Sequence, residues 1–236
     1  MAELGTDVTY NADQTPVFFE YLPKSTITTK GARTVWVRSS GKDKERLTCM
    51  LLGDSLGRKY VPYLVIKTKP SKVPSTRTEN DKKRDGFGLQ LWRKMKPLQA
   101  RHDVVIFGNG NGWWNEKLTI DFLRFHFAAR NDMTTPVLLL LDEFSGHWTD
   151  AVLACARDLN VELMRIRLRE RWIVYLERPM EKHEAAMAAA ESFKMIAPAR
   201  EDVVEWVAQA WGELSADTIA NGFKAVLQEG VEIEAS

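Results

Sequence analysis

Cysteine is nearly missing from this sequence. Cys49 and Cys155 stand alone in a chain of 236 residues, too few for a disulfide framework, so a reducing intracellular compartment is expected. The first residues, Met-Ala-Glu-Leu-Gly-Thr-Asp, contain neither a basic segment nor an apolar one, which excludes reading them as a secretory signal. No apolar run approaches the ~20 residues needed to cross a bilayer, so a soluble protein without a membrane partner is expected. No segment repeats. With 44% hydrophobic residues, the chain can bury one sizeable core with an appended subdomain.

Net charge is also nearly missing, at +1, but the balance hides a segregation. Lys24 to Arg101 holds 20 Lys/Arg against 6 Asp/Glu, whereas Glu181 to Ser236 holds 4 against 11. A basic first half reads either as a surface for a polyanion or as a solvated face with a flexible loop.

The stretch around which the rest is arranged is Thr135-Pro136-Val137-Leu138-Leu139-Leu140-Leu141-Asp142. A short apolar run bounded by proline predicts a strand buried on both faces. Asp142 stands where the run stops, at the end of a strand where α/β sheets handle ligands and metals. Alone, that carboxylate reads first as a cap of the helix that follows. A second acid in the same relation to another strand is needed to decide.

In chain order, Val17 to Leu22 predicts a first strand with Asp13 at its entrance, and Thr34 to Arg38 another. Leu47–Leu52 and Tyr60–Lys67 flank a turn-rich Gly53–Arg58 and predict a hairpin, making the front an antiparallel meander. Residues 67–88 are poor in hydrophobics and predict a mobile basic loop. A short element at Leu89–Met95 and a strand at Val104–Phe107 follow. Leu118, Phe122, Leu123, Phe125 and Phe127 recur at helical spacing, so a helix is expected over Asn115–Ala129. After the Leu138–Leu141 strand come a helix near Asp150–Leu159 and a strand at Val161–Ile166. The last third is rich in helix formers: Leu168–Met195 interrupted at Pro179, then Asp202–Trp211 and Ala216–Gln228, the last with Ser215 as N-cap. The sum is an α/β fold, a mixed sheet of antiparallel front meander plus parallel strands over 12–166, followed by C-terminal helices over 167–236.

Gly53-Asp54-Ser55-Leu56 spells an esterase nucleophile block. That chemistry needs the serine at a strand-to-helix turn and an Asp-x-x-His toward the C-terminus. Here the tetrapeptide joins two strands, and Asp142 with His147 has the wrong spacing. The hydrolase reading is rejected.

With these elements placed, the chain resembles the DDE endonuclease domain of pogo/Tigger/jerky-type transposases, in the mariner-like group of the RNase H-like fold. The resemblance rests on Asn11-Ala12-Asp13-Gln14-Thr15-Pro16, the hairpin from Thr48 to Pro62, Asn111-Gly112-Trp113-Trp114-Asn115, Leu141-Asp142-Glu143-Phe144-Ser145-Gly146-His147, and the closing segments Val207–Trp211 and Thr218–Lys224. It covers nearly all of the chain. It implies divalent-metal-dependent DNA strand cleavage and transfer, with Asp13 and Asp142 as catalytic metal ligands for Mg²⁺ or Mn²⁺ and His147 in support behind them. It further implies DNA as partner, met through backbone contacts of the 24–101 region, and a nuclear location. Self-association is left open.

The sequence departs from the family pattern in two places. Where the family has a turn and a Gln-Pro-x-Asp element carrying a third acid, Met164-Arg165-Ile166 runs straight into Arg167-Leu168-Arg169-Glu170. Glu170 is a weak candidate third acid, and cleavage is expected to be impaired. The helix-turn-helix domains that the family carries ahead of its catalytic domain are expected to be absent. The competing expectation is a non-enzymatic DNA-binding or interaction module that keeps the fold without the chemistry.

Overall fold

The computed structural model describes residues 8–19, 45–165 and 198–228, with side chains as far as 223. The expected strand at Thr34–Arg38, the helices of Leu168–Met195, the junction after Ile166 and Glu170 all lie outside the described residues.

A six-stranded sheet is the centre of the fold. Its strands are β1 (Thr9–Phe18), β2 (Arg46–Asp54), β3 (Tyr63–Lys67), β4 (Val105–Asn109), β5 (Val137–Leu141) and β6 (Val161–Arg165), in the order β4-β3-β2-β1-β5-β6. β1, β2 and β3 pair antiparallel, with Asp13 opposite Leu51 and Cys49 opposite Leu64. β4, β5 and β6 join in parallel. The antiparallel meander with parallel strands added is the sheet expected from the sequence.

Both faces are buried, which is why β2 and β5 read as continuous apolar runs rather than alternating ones. On one face Val17, Leu47, Cys49, Leu51, Leu138 and Leu140 pack under helices α2 (Leu89–His102), α5 (Arg200–Glu213) and α6 (Ala216–Gln228). On the other, Ala12, Met50, Leu52, Leu139 and Leu141 pack under α3 (Glu116–Phe127) and α4 (Asp150–Asp158). Side chains cap three of these helices: Asn115 Oδ1 accepts from Leu118 N–H, Thr149 Oγ1 from Val152 N–H, and Ser215 Oγ from Thr218 N–H. Each hydroxyl or amide oxygen satisfies an N–H that the first turn leaves without a partner.

Three elements differ from expectation. β1 begins at Thr9, not Val17, so Asp13 lies inside a strand rather than at its entrance. The polar residues there have low strand propensity, but hydrogen bonding to neighbours on both sides overrides it. Pro16 lies past Asn11↔Leu140, the last pairing with β5, where a missing N–H is tolerated. Residues 67–88 are not simply a loop, because they contain helix α1 (Pro74–Lys83). It has proline in its first turn, Lys82 and Lys83 in its last, and one buried residue, Asn80, so it carries no apolar stripe to read. Finally, α2 runs through Pro97 to His102, where burial of Met95 and Leu98 outweighs the lost hydrogen bond.

Candidate functional site

β1 and β5 are parallel neighbours in the middle of the sheet, paired Thr9↔Leu138, Tyr10↔Leu139 and Asn11↔Leu140. Continuing that register by two residues brings Asp13 level with Asp142, the first residue after β5. Asp13 has the parity of the face that carries Val17 and Cys49, whereas the Asp142 carboxylate turns toward His147. The Cys49 thiol reports the same placement: burial pushes its pKa up, and the Asp13 carboxylate pushes it further. Thus Asp13 lies inside β1, and Asp142 lies just past the end of the neighbouring strand β5.

Asp142 is fixed where β5 ends. Its Oδ1 accepts from Phe144 N–H at 3.1 Å and lies 3.3 Å from His147 Nε2, while its carbonyl accepts from Trp148 Nε1–H at 2.8 Å. Burial works to raise the carboxyl pKa, but the bonds from His147 and Phe144 outweigh it, and the net shift is downward. Asp142 is therefore an ionised carboxylate, 34% exposed. Both contacts fall on Oδ1. Among the described residues, no donor reaches Oδ2. The cap-like role and a binding role are compatible, because one oxygen serves each.

His147 follows in a single 3₁₀ turn (Ser145–His147) and is 1% exposed. Its Nε2 lies 2.9 Å from Gln14 Nε2, and its Nδ1 lies 3.1 Å from Thr119 Oγ1. The Thr119 hydroxyl also accepts from Trp114 Nε1–H at 2.9 Å and lies 3.0 Å from the Gly146 carbonyl. If Thr119 donates to Gly146, His147 presents Nδ1–H to Thr119 and the Gln14 amide donates to Nε2. If His147 carries a proton on Nε2, that proton points at Asp142 and the Gln14 amide turns its oxygen inward. His147 thus links β1, α3 and the end of β5, a supporting place rather than an open coordination site.

Two neighbours of Asp13 were not singled out from sequence. Asn11 and Thr15 flank it on the same parity and are 8% and 4% exposed, yet Asn11 Oδ1 and Thr15 Oγ1 have no hydrogen-bond partner. Gln14 was quoted only as part of a motif. Strand alternation could have placed it on the face opposite Asp13, but its partner is 133 residues away. Among the described residues, no three His, Cys, Asp or Glu side chains gather as a metal-holding group.

The esterase-like block has a structural role. Asp54 is fully buried, and its Oδ1 accepts from Leu56 and Arg58 N–H while Oδ2 accepts from Arg58 Nε–H and the Tyr60 hydroxyl. It shapes the β2–β3 turn. Ser55 Oγ accepts from Thr9 N–H at 3.2 Å.

No protein-family model matches the chain. Two curated proteins, each described as a pogo transposable element with KRAB domain, are similar over 235 residues: the Homo sapiens protein at 25% identity and the Mus musculus protein at 24%. The alignments take in 91% of this chain and 34% of each relative, so the chain spans about a third of their length. Among solved structures, the Mos1 Strand Transfer Complex has a TM-score of 0.50 at 14% identity, covering 97% of this chain and 53% of that one. The chain is homologous to pogo transposable element proteins and has the RNase H-like fold of the Mos1 structure.

Proposed function

We propose that this chain is a transposase-derived, DNA-acting domain in which Asp13 and Asp142 hold a divalent cation for strand cleavage and transfer. The activity is impaired by the loss of a third carboxylate after Ile166. What supports the reading is the parallel pairing of β1 with β5, with Asp13 two residues beyond the last pair on one strand and Asp142 just past the end of the other. The donor chemistry fits a hard cation: carboxylates of Asp13 and Asp142, with Asp142 Oδ2 open and the Asn11 amide oxygen buried without a partner. Mg²⁺ and Mn²⁺ take oxygen donors and keep several waters, so two carboxylates suffice to hold one. Held by Asp13 and Asp142, such an ion would supply Lewis-acid polarisation of a phosphodiester oxygen.

The chain's own residues supply orientation and charge. Phe144 N–H and His147 keep the Asp142 carboxyl ionised. Gln14 and Thr119 hold the imidazole, so Asp142 cannot swing away from β1. DNA is engaged by its backbone through the basic 24–101 region, which includes Arg77, Lys82, Lys83 and Arg84 on and beside α1. The nucleus follows as the place where such a protein meets DNA. The Mos1 structure, described as a Strand Transfer Complex, supports that reaction class by analogy of fold.

A second reading is favoured by the sequence, in which Met164-Arg165-Ile166 runs straight into Arg167-Leu168-Arg169 without the third-acid element: a DNA-binding or interaction module that keeps the fold without cleavage. Nicking of supercoiled plasmid in Mg²⁺ or Mn²⁺, with Asp13→Asn and Asp142→Asn as controls, separates the two. Metal-dependent nicking lost in both variants supports the cleaving site. Salt-dependent DNA binding with no cleavage in either metal supports the module.

A further inference from the structure

The strand ends that lie beyond Asp13 carry a second feature. Phe18 is paired with Arg46, and Lys67 with Asn109, so the end of β1, the start of β2 and the ends of β3 and β4 form one rim. Five residues separate Phe18 from Asp13, about 16 Å along the strand. On this rim Trp113 is 58% exposed. A lone exposed Trp needs no explanation, but Trp113 sits on a backbone built to hold it still. The Asn109 side chain accepts from the N–H groups of Asn111, Gly112 and Trp113 and donates to the Trp113 carbonyl at 2.7 Å. Gly112 adopts φ +69°, and a Cβ there would press on Lys67 at 3.0 Å. Its carbonyl accepts from Thr48 Oγ1–H at 2.9 Å, which ties the loop to β2.

A cation completes the arrangement. The Arg46 guanidinium lies 5.8 Å from the Trp113 ring and 5.9 Å from the Phe18 ring, with no carboxylate in ion-pair reach among the described residues. Lys67, exposed, stands beside Gly112. A fixed aromatic face, a guanidinium at ring distance and the exposed Lys67 beside the loop match an anionic strand with an accessible base. The base stacks on the ring, and the phosphates meet Arg46 and Lys67. Inside a duplex both faces of a base are covered by its stacked neighbours, so the ligand is single-stranded.

We infer that Trp113, with Arg46 and Phe18, forms a stacking platform for an unpaired nucleotide of a single strand. This rests on the DNA-acting reading above. The test is a fluorescence-anisotropy titration of the full chain and its Trp113→Ala and Trp113→Phe variants, with a labelled oligothymidylate and a labelled duplex of equal length. Trp113→Ala is expected to weaken single-strand binding by between about 5-fold and about 150-fold, with Trp113→Phe near the parent and duplex binding changed less than about 2-fold. The platform is overturned by unchanged single-strand affinity, by equal losses on strand and duplex, or by a lowered melting temperature in Trp113→Ala that marks a structural role. A parent that binds duplex but not single strand overturns the platform alone. A parent that binds neither overturns the DNA-acting reading as well.

Discussion

Gln14 Nε2 and His147 Nε2 lie 2.9 Å apart and join the central strand β1 to the turn after β5. The contact ties two segments that each carry an acid, since Asp13 precedes Gln14 and Asp142 Oδ1 faces the same imidazole at 3.3 Å. Strand alternation puts Gln14 on one face of β1 and Asp13 on the other, so the imidazole that Gln14 holds serves Asp142 and not Asp13.

His147→Ala is therefore expected to act twice. Removing a buried ring with three polar neighbours costs about 2–4 kcal/mol, read from urea unfolding. It also frees the Asp142 carboxyl, whose pKa is depressed in the folded chain. A depressed carboxylate adds stability above the ordinary Asp value near 4 and loses it as pH falls through the folded value. In the variant, burial acts with less opposition, so the Asp142 signal in a ¹³C-detected titration moves upward and the acid-side loss of stability shrinks. An unmoved Asp142 titration would show that His147 does not set its charge.

The apolar patterning made much of the fold legible. Leu138–Leu141 reads as a doubly buried strand and is one, and Leu118, Phe122, Leu123 and Phe127 are buried along α3. Phe125 shares the helical spacing yet is 51% exposed, because periodicity names a stripe and not its edges. β1 was placed late because its first residues are polar and its stability comes from neighbouring strands. α1 has no apolar stripe at all. Asp13 and Asp142 could be singled out from their motifs and strand positions, whereas the Gln14–His147–Thr119 linkage depends on contacts up to 133 residues apart that no local pattern encodes.

Lys59 joins the C-terminal helices to the hairpin, beside Trp211 Nε1–H, which donates to the Tyr60 carbonyl at 3.0 Å. Lys59 Nζ donates to the carbonyls of Trp211, Gly212 and Leu214 at 2.9, 2.6 and 2.8 Å, at the end of α5 where the helix leaves carbonyls unpaired. Gly57 packs beside it with φ +83°, and a Cβ there would meet the Ala216 carbonyl at 2.4 Å. Lys59→Met is expected to cost about 2 kcal/mol. Amide exchange should quicken first in α5, and a uniform change across the sheet would argue against a local cap.

The turn at Asp54 separates a structural carboxylate from a nucleophile motif. Asp54→Ala leaves two backbone N–H groups, Arg58 and Tyr60 without their acceptor, at an expected cost of about 3–5 kcal/mol. Ser55→Ala removes one long bond to Thr9 and should cost less than about 1 kcal/mol. Thermal melts of the two variants give the comparison. A larger loss for Ser55→Ala would reverse the assignment of roles within the block.

His126 gives the chain an acid-sensitive site away from the carboxylates. It is enclosed by Tyr60, Tyr63, Phe122 and Phe125, and its Nε2 is buried without a partner. Burial lowers its pKa to about 4, against a smaller upward pull from a hydrogen bond at the Val61 backbone. The unfolded chain binds this proton near pH 6.5 and the folded chain only near 4. Between those values the unfolded state holds more protons, so stability rises with pH, by up to about 3 kcal/mol across the window. Below pH 4 both states are protonated, and this contribution becomes flat. His126→Phe removes the titration while keeping the ring packing, so its unfolding free energy between pH 4 and 6.5 should depend on pH less steeply than the parent's. Parallel slopes in the two proteins would place the acid sensitivity elsewhere.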